Sequence, residues 1–268
     1  IAELYAQTDS SPRVAICKSH KEIIAALRSG KVALLITMEG IEPLGTDLDL
    51  LRIFYELGVR CISLTHARSN SAGHGGIFAA SGSSPAGLTA FGREVVRQCE
   101  TLGVIVDLAH LNPAGFQEVI QISTKPVIVS HTNARKFYDI ERNISDDQIR
   151  MIGERGGVIG VNSILVSPRK EESTLDRYVE HIEHVVSLIG INGVGIGFDF
   201  FEFIYRQWPD EKKKEVASKL TEPHFIPDLT NHSQAGNLTR KLVERGFSAE
   251  EIDKILFRNW MRIFEEIL

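Results

Sequence analysis

The sequence predicts an α/β fold with parallel strands, either an open doubly wound sheet or a (β/α)8 TIM-type barrel, and three observations carry that expectation. Short apolar runs of strand length alternate with segments whose apolar residues recur at helical spacing. Six such strands follow one another with no compositional break, so residues 1–268 are expected to form a single domain, a length that barrels commonly reach. No GxGxxG opens the first helix, which weakens the dinucleotide-binding version of the open sheet.

The elements follow in order. "KVALLITME" (31–39) is a strand, and "DLDLLRIFYELG" (47–58) is a helix that Gly58 stops. "VRCISLTH" (59–66) is the next strand. The Gly/Ser/Ala-rich "SNSAGHGGIFAASGSSPAG" (69–87) is too long for a minimal connection and reads as a loop over something functional. A helix over 88–103 leads into the strand of "GVIVDLAHLN" (103–112). The helix of 112–123 has Asn112 as N-cap and Pro113 in its first turn. "KPVIVSH" (125–131) is a strand, 145–157 a helix capped by Ser145, and "GVIGVN" (157–162) a strand. A strongly amphipathic helix (174–190) and the strand "GVGIGFDF" (193–200) follow. The last third is helical, and Ser248 and Glu251 have capping-box spacing.

Composition removes several function classes. Hydrophobic residues make up 43% and charged residues 24%, ordinary for a globular chain, and the length allows a core without disulfide staples. A net charge of −5 and a pI near 6.0 argue against nucleic acid or an anionic membrane as the main partner. Lys212, Lys213 and Lys214 lie among Asp210, Glu211 and Glu215 and read as a solvated helix face. Cys17, Cys61 and Cys99 have no paired spacing and read as reduced, buried thiols. No apolar stretch reaches the roughly 18 residues of a membrane span, and none resembles a signal peptide. A cytoplasmic location is the expectation, with the true N-terminus left open because the chain begins at Ile1.

The strand ends carry the chemical signal. The successive runs finish in Glu39, His66, His110, His131 and Asp199, and the remaining one in Asn162. In a barrel these carboxyl edges converge on one mouth, where active sites sit. Two imidazoles and a carboxylate are a ligand set for Zn²⁺, and Glu39, with two oxygens, can bridge a second ion. Metal-activated water is a nucleophile at neutral pH, and Asp199 is suited to moving protons between it and a leaving group. Asp107, three residues before His110, either orients a ligand or makes a simple loop contact. His20, His181, His184 and His224 lack strand-end placement and are expected at the surface; His74 reads as a solvated loop residue. His232 is undecided. With no GxSxG elbow, and Ser130 too close in sequence to His131 to form a catalytic pair by itself, a serine hydrolase is disfavoured.

"MEG…EPLGTDLDLLRIFYELGVR", "LTH", "LTAFGREVV…LGVIVDLAH", "PVIVSHTNAR", "ERNISDDQIR…GGVIGVN" and "VGIGFDF", in that order, resemble the membrane (renal) dipeptidase family of zinc peptidases from about residue 20 to the C-terminus. The resemblance implies a (β/α)8 barrel with a binuclear zinc site that hydrolyses dipeptides. By matching motif, it implies that Glu39 bridges the metals and that His110 and His131 complete the ligands of one of them. His66 would contact substrate and the tetrahedral intermediate, Asp199 would be the acid/base, and Arg142 would bind the substrate carboxylate. An arginine suits that last role because its planar fork matches a carboxylate; by residue reasoning alone, Arg142 is a surface charge before a helix. A homodimer is also implied.

The sequence departs from the family at two places. The His-x-Asp pair that supplies the other metal's ligands is absent, and "IAELYAQTDSSPRVAICKSH" looks like the run-up to the second strand, with the barrel's first strand missing. Because a barrel without that strand exposes two edges, the expectation is that the natural chain has a further N-terminal segment. Asp199-Phe200-Phe201-Glu202 stands where the family favours Asp-Phe-Asp-Gly, which alters the wall near Asp199. The expected function is a zinc-dependent dipeptidase acting on small dipeptides; the alternatives are a metal-dependent hydrolase of another small amide and a non-catalytic barrel with an incomplete metal site.

Overall fold

A computed structural model of the chain describes residues 1–66, 68–75, 86–219 and 222–268. The chain divides into two compact units, one built from Ile1–Gly75, the stretch up to Val127 and Met261–Leu268, the other from Ile128–Trp260. Each alternates parallel strands with helices, as the α/β class requires.

In the first unit, helix α1 (Ala2–Asp9) precedes strand β1 (Val14–Ile16), and helix α2 (His20–Arg28) is capped by Ser19, whose side chain accepts the Glu22 N–H. The apolar run predicted as one strand is two: β2 (Val32–Leu34) pairs in parallel with β1, and β3 (Ile36–Glu39) pairs in parallel with β4 (Val59–Ser63). Leu35, at the break, packs on a small core of Cys17, Ile23 and Ala26 together with Met261 and Phe264 from the C-terminus. Along β3, Ile36 and Met38 are buried while Thr37 and Glu39 are exposed, so the two-residue period turns Glu39 away from the core face.

Helix α3 (Asp49–Glu56) ends before Gly58, whose φ of +104° is accessible to glycine and whose missing Cβ leaves room for the Tyr5 hydroxyl. Helix α4 (Ala90–Leu102) runs from a Thr89 cap to a left-handed Gly103, as the end of its apolar pattern indicated. Strand β5 (Ile105–Asp107) pairs in parallel with β4. Helix α5 (Pro113–Ile122) has the predicted Asn112 cap, with Phe116 and Val119 fully buried, each worth about 1.5–3 kcal/mol by area burial. Of the Gly-rich stretch 69–87, residues 76–85 lie outside the described residues.

In the second unit, β6 (Ile128–Thr132), β7 (Val158–Val161) and β8 (Val194–Ile196) pair in parallel, β6 with β7 and β7 with β8. The β6–β7 register shifts between Val129 and Thr132, a bulge that falls on Ser130 and His131. Helix α6 (Asp146–Glu154) opens with the Ser145–Gln148 capping box. Helix α7 (Leu175–Ile189) buries Tyr178, Val179, Ile182 and Val185.

On that same face lie His181 and His184, expected at the surface and in fact 0% and 8% exposed. They are inside because each is partnered. The Ala134 N–H donates to His181 Nδ1 at 3.0 Å, and His181 Nε2 is 2.9 Å from the Val166 carbonyl. His184 Nε2 is 2.8 Å from Asp146 Oδ1. Phe137 packs edge-on against both rings.

The helical C-terminal part opens its Ala249–Asp253 turn with the predicted Ser248–Glu251 capping box. Buried Asn259 donates to the carbonyls of Ile191 and Val194, both at 2.7 Å. The lysine-rich helix Asp210–Lys219 is solvated, as its charge pattern indicated. The cysteines are free and buried, and burial pushes the Cys99 thiol up to about 12 and that of Cys61 well above its ordinary value, so neither is a nucleophile. No helix among the described residues is long and apolar enough to cross a membrane.

Candidate metal centre and its surroundings

In the first unit, three predicted site residues come together at the ends of adjacent parallel strands. Glu39 closes β3, His66 follows β4, and His110 follows β5. Glu39 Oε1 lies 2.9 Å from His110 Nε2, and Glu39 Oε2 lies 3.9 Å from His66 Nε2. The imidazoles meet edge to face with centroids 4.8 Å apart. One ligand-type atom from each residue falls within 4.8 Å of the others. A carboxylate with two imidazole nitrogens is a donor set that zinc accepts, so the residues present fit a metal ion.

These side chains differ in freedom. His110 is 9% exposed at its side chain and His66 57%, so the first is fixed and the second is accessible to a ligand. His110 has a φ of +65°, a left-handed conformation uncommon outside glycine, and its surroundings enforce it. Asp107 Oδ1 accepts the Ala109 N–H at 3.0 Å, and Thr65 Oγ1 donates to the His110 carbonyl at 3.2 Å. Asp107, 5% exposed, therefore makes a loop contact, and that contact shapes the turn that presents His110.

In the second unit the other predicted residues gather. His131 sits on the β6 bulge with Nδ1 hydrogen-bonded to Ser130 Oγ at 2.7 Å and Nε2 3.9 Å from Asp199 Oδ2. Ser130 and His131 thus do bond despite their adjacency, and the bond sets the ring's orientation. Gly160 and Gly197 permit the bulge: a Cβ on either would sit 2.0 Å from the Ser130 carbonyl. Arg142 is 6% exposed, correcting its reading as a surface charge. Its Nη2 donates to the His131 carbonyl at 2.9 Å, and its own carbonyl accepts from Thr132 Oγ1 at 3.1 Å.

Asp199 is the second left-handed site residue, with a φ of +54°. Asn162, at the end of β7, donates from Nδ2 to Asp199 Oδ2 at 3.2 Å. Its strand-end position was visible in the sequence, but a neutral amide carries no charge signal to single it out.

The remaining histidines are placed as follows. His74 is half-buried, its Nδ1 bonded to Ser69 Oγ at 2.7 Å, so it is less solvated than expected. His232 is exposed and packs edge-on against Phe200, with centroids 5.0 Å apart. His20 and His224 are half-buried rather than at the open surface.

Comparison with known proteins places this geometry in a lineage. A profile of the membrane dipeptidase family, peptidase family M19, matches residues 2–268. Dipeptidase tcpJ of Claviceps purpurea is 30% identical over 273 residues, covering 100% of this chain and 57% of that protein. An uncharacterized dipeptidase of Schizosaccharomyces pombe is 32% identical over 274 residues, covering 97% of this chain and 61% of its own length. The chain thus spans about three-fifths of the length of these curated relatives.

Among solved structures, an amidohydrolase from Pseudomonas aeruginosa superposes with a TM-score of 0.88 at 26% identity, covering 99% of this chain and 82% of that one. A metallo peptidase from Rhodobacter sphaeroides, liganded with a phosphinate mimic of the dipeptide L-Ala-D-Ala, does so at 0.84 and 27%, covering 100% and 72%. With the family profile matched along almost its whole length, and with its predicted motifs at the ends of parallel strands, this chain belongs to the membrane dipeptidase family, peptidase family M19.

Proposed function

We propose that this protein is a zinc-dependent dipeptidase, and the observation that carries the reading is the Glu39–His66–His110 cluster in a chain of this family. Glu39 and His110 are the ligands in the first unit, and His131 is the further imidazole that the family resemblance assigns to the metal. The chemistry that zinc brings is carbonyl polarisation and a water acidic enough to attack at neutral pH. His66, whose side chain is exposed to an incoming substrate, donates a hydrogen bond to the carbonyl oxygen as charge develops there. Asp199 accepts the proton of the attacking water and delivers it to the leaving amine nitrogen. Arg142 offers its planar N–H pair to the substrate's free carboxylate.

The test is elemental analysis of the purified full-length protein, then hydrolysis of a dipeptide panel with and without a chelator. The panel includes L-Ala-D-Ala, whose mimic is bound by the Rhodobacter sphaeroides relative. Bound zinc and chelator-sensitive cleavage are the expected result. A zinc-loaded protein that cleaves no dipeptide overturns the reading. Cleavage of other small amides but not dipeptides would favour the alternative that the Pseudomonas aeruginosa amidohydrolase raises.

A further inference from the structure

Asp199 occupies a left-handed backbone conformation that few non-glycine residues adopt, with φ at +54°. The residues around it show what holds it. The carbonyl just before it, that of Phe198, accepts two hydrogen bonds from one residue of the neighbouring strand end: Ser163 N–H at 3.1 Å and Ser163 Oγ at 2.6 Å. The carboxylate itself accepts from Asn162 Nδ2 at 3.2 Å, the one hydrogen bond to it among the described residues.

Asn162 is built to hold still. It is 1% exposed, its backbone N–H donates to the Thr132 carbonyl at 2.9 Å, and its Oδ1 accepts the Ile164 N–H at 2.9 Å. With the amide oxygen committed to Ile164, the amide nitrogen has a single direction, toward Asp199. The rings of Phe198 and Phe200 stack 4.7 Å apart on either side of Asp199 in sequence, and Tyr178 braces the base of this corner by donating to the Val161 carbonyl at 2.8 Å.

We infer that Asn162 and Ser163 are positioning residues for Asp199: Ser163 fixes the strained backbone and Asn162 aims the carboxylate. The inference rests on the reading of Asp199 as the acid/base of the dipeptidase reaction. A bound acid/base must stay within hydrogen-bond reach of the proton it moves, and a carboxylate tethered at one oxygen is confined to such a geometry. Free rotation about its side-chain bonds would spread it over several rotamers and lower the population that can react.

The test measures dipeptide hydrolysis by the full-length, metal-replete protein carrying Asp199→Ala, Asn162→Leu, Ser163→Ala, and Asp199→Ala with Asn162→Leu. Metal content and thermal midpoint are recorded for each. Asn162→Leu should lower kcat by about tenfold or more while KM and metal content stay within about twofold, and Ser163→Ala, which keeps the backbone donor, should lower kcat about threefold. On the Asp199→Ala background, Asn162→Leu should cost nothing further, because its effect is exerted through the missing carboxylate.

A normal kcat in Asn162→Leu beside an impaired Asp199→Ala overturns the inference and leaves the dipeptidase reading intact. An equal additional loss in both backgrounds also overturns it, because Asn162 is then only a structural residue. A fully active Asp199→Ala overturns the role of Asp199 itself, and this inference with it. Where Asn162→Leu does not fold, Asn162→Ser and Ser163→Ala decide the same question.

Discussion

His110 and Asp199 occupy the ends of strands in different units, and both adopt left-handed backbone that is uncommon outside glycine. The two are held in place differently. His110 is presented by its own turn: Asp107, three residues earlier, accepts the Ala109 N–H, with Thr65 adding one bond from beyond the end of the neighbouring strand β4. Asp199 is held from outside, by Asn162 and Ser163, far away in the sequence. A short-range brace can be suspected from a motif. A long-range one exists only once the strands are in register.

The largest effect that would sharpen this contrast comes from Glu39, which reaches His110 directly at 2.9 Å. Glu39→Gln should lower dipeptide turnover by about a hundredfold or more, with loss of bound metal, since it removes the charge of the proposed ligand set. Retained metal with normal turnover would remove this cluster from the mechanism.

Next is the local brace. Asp107→Ala leaves the Ala109 N–H without its acceptor and should weaken metal affinity about 10–100-fold, the range typical for groups that support ligands. Metal titration reads this directly. An unchanged affinity would mean that Thr65 and the surrounding core hold His110 without the local turn.

A pH effect on the second unit should follow from His181, which lies in the helix packed behind the loop that carries Arg142. Burial, the first cause, lowers its pKa from 6.5 to about 4 in the folded protein. The unfolded chain therefore binds the proton more readily between those values. The stability that neutral His181 carries is fully present above pH 6.5 and is lost as pH falls from there toward 4, by about 3 kcal/mol in all. Urea unfolding at pH 7 and pH 4.5, with His181→Gln as the reference, measures it; a reference variant with the same pH slope as wild type would assign the loss to other groups.

The smallest effect is a control on local structure. Ser145→Ala removes the capping box of α6 and should cost about 1 kcal/mol of stability while leaving turnover unchanged. A fall in turnover from that change would show that the loop before α6, which carries Arg142, depends on the helix start.

The alternation of β and α elements, the caps at Asn112, Ser145 and Ser248, and the strand-end positions of Glu39, His66, His110, His131 and Asp199 were all set by the sequence itself. These depend on periodicity, on side chains that bond within a few residues, and on where apolar runs stop, and each is a local property. The division of residues 31–39 into two strands was not legible, because it depends on which neighbour each half pairs with.

Nor were the burial of His181, His184 and Arg142. A polar side chain enters a core only when a partner waits there, and theirs are Ala134 and Val166, Asp146, and the His131 carbonyl. Tertiary structure alone decided which strand ends bond to each other and which side chains hold the two strained residues in place. Those contacts join positions far apart along the chain, 37 residues from Asn162 to Asp199 and 45 from Thr65 to His110, and a backbone must be in register before such a hydrogen bond can form.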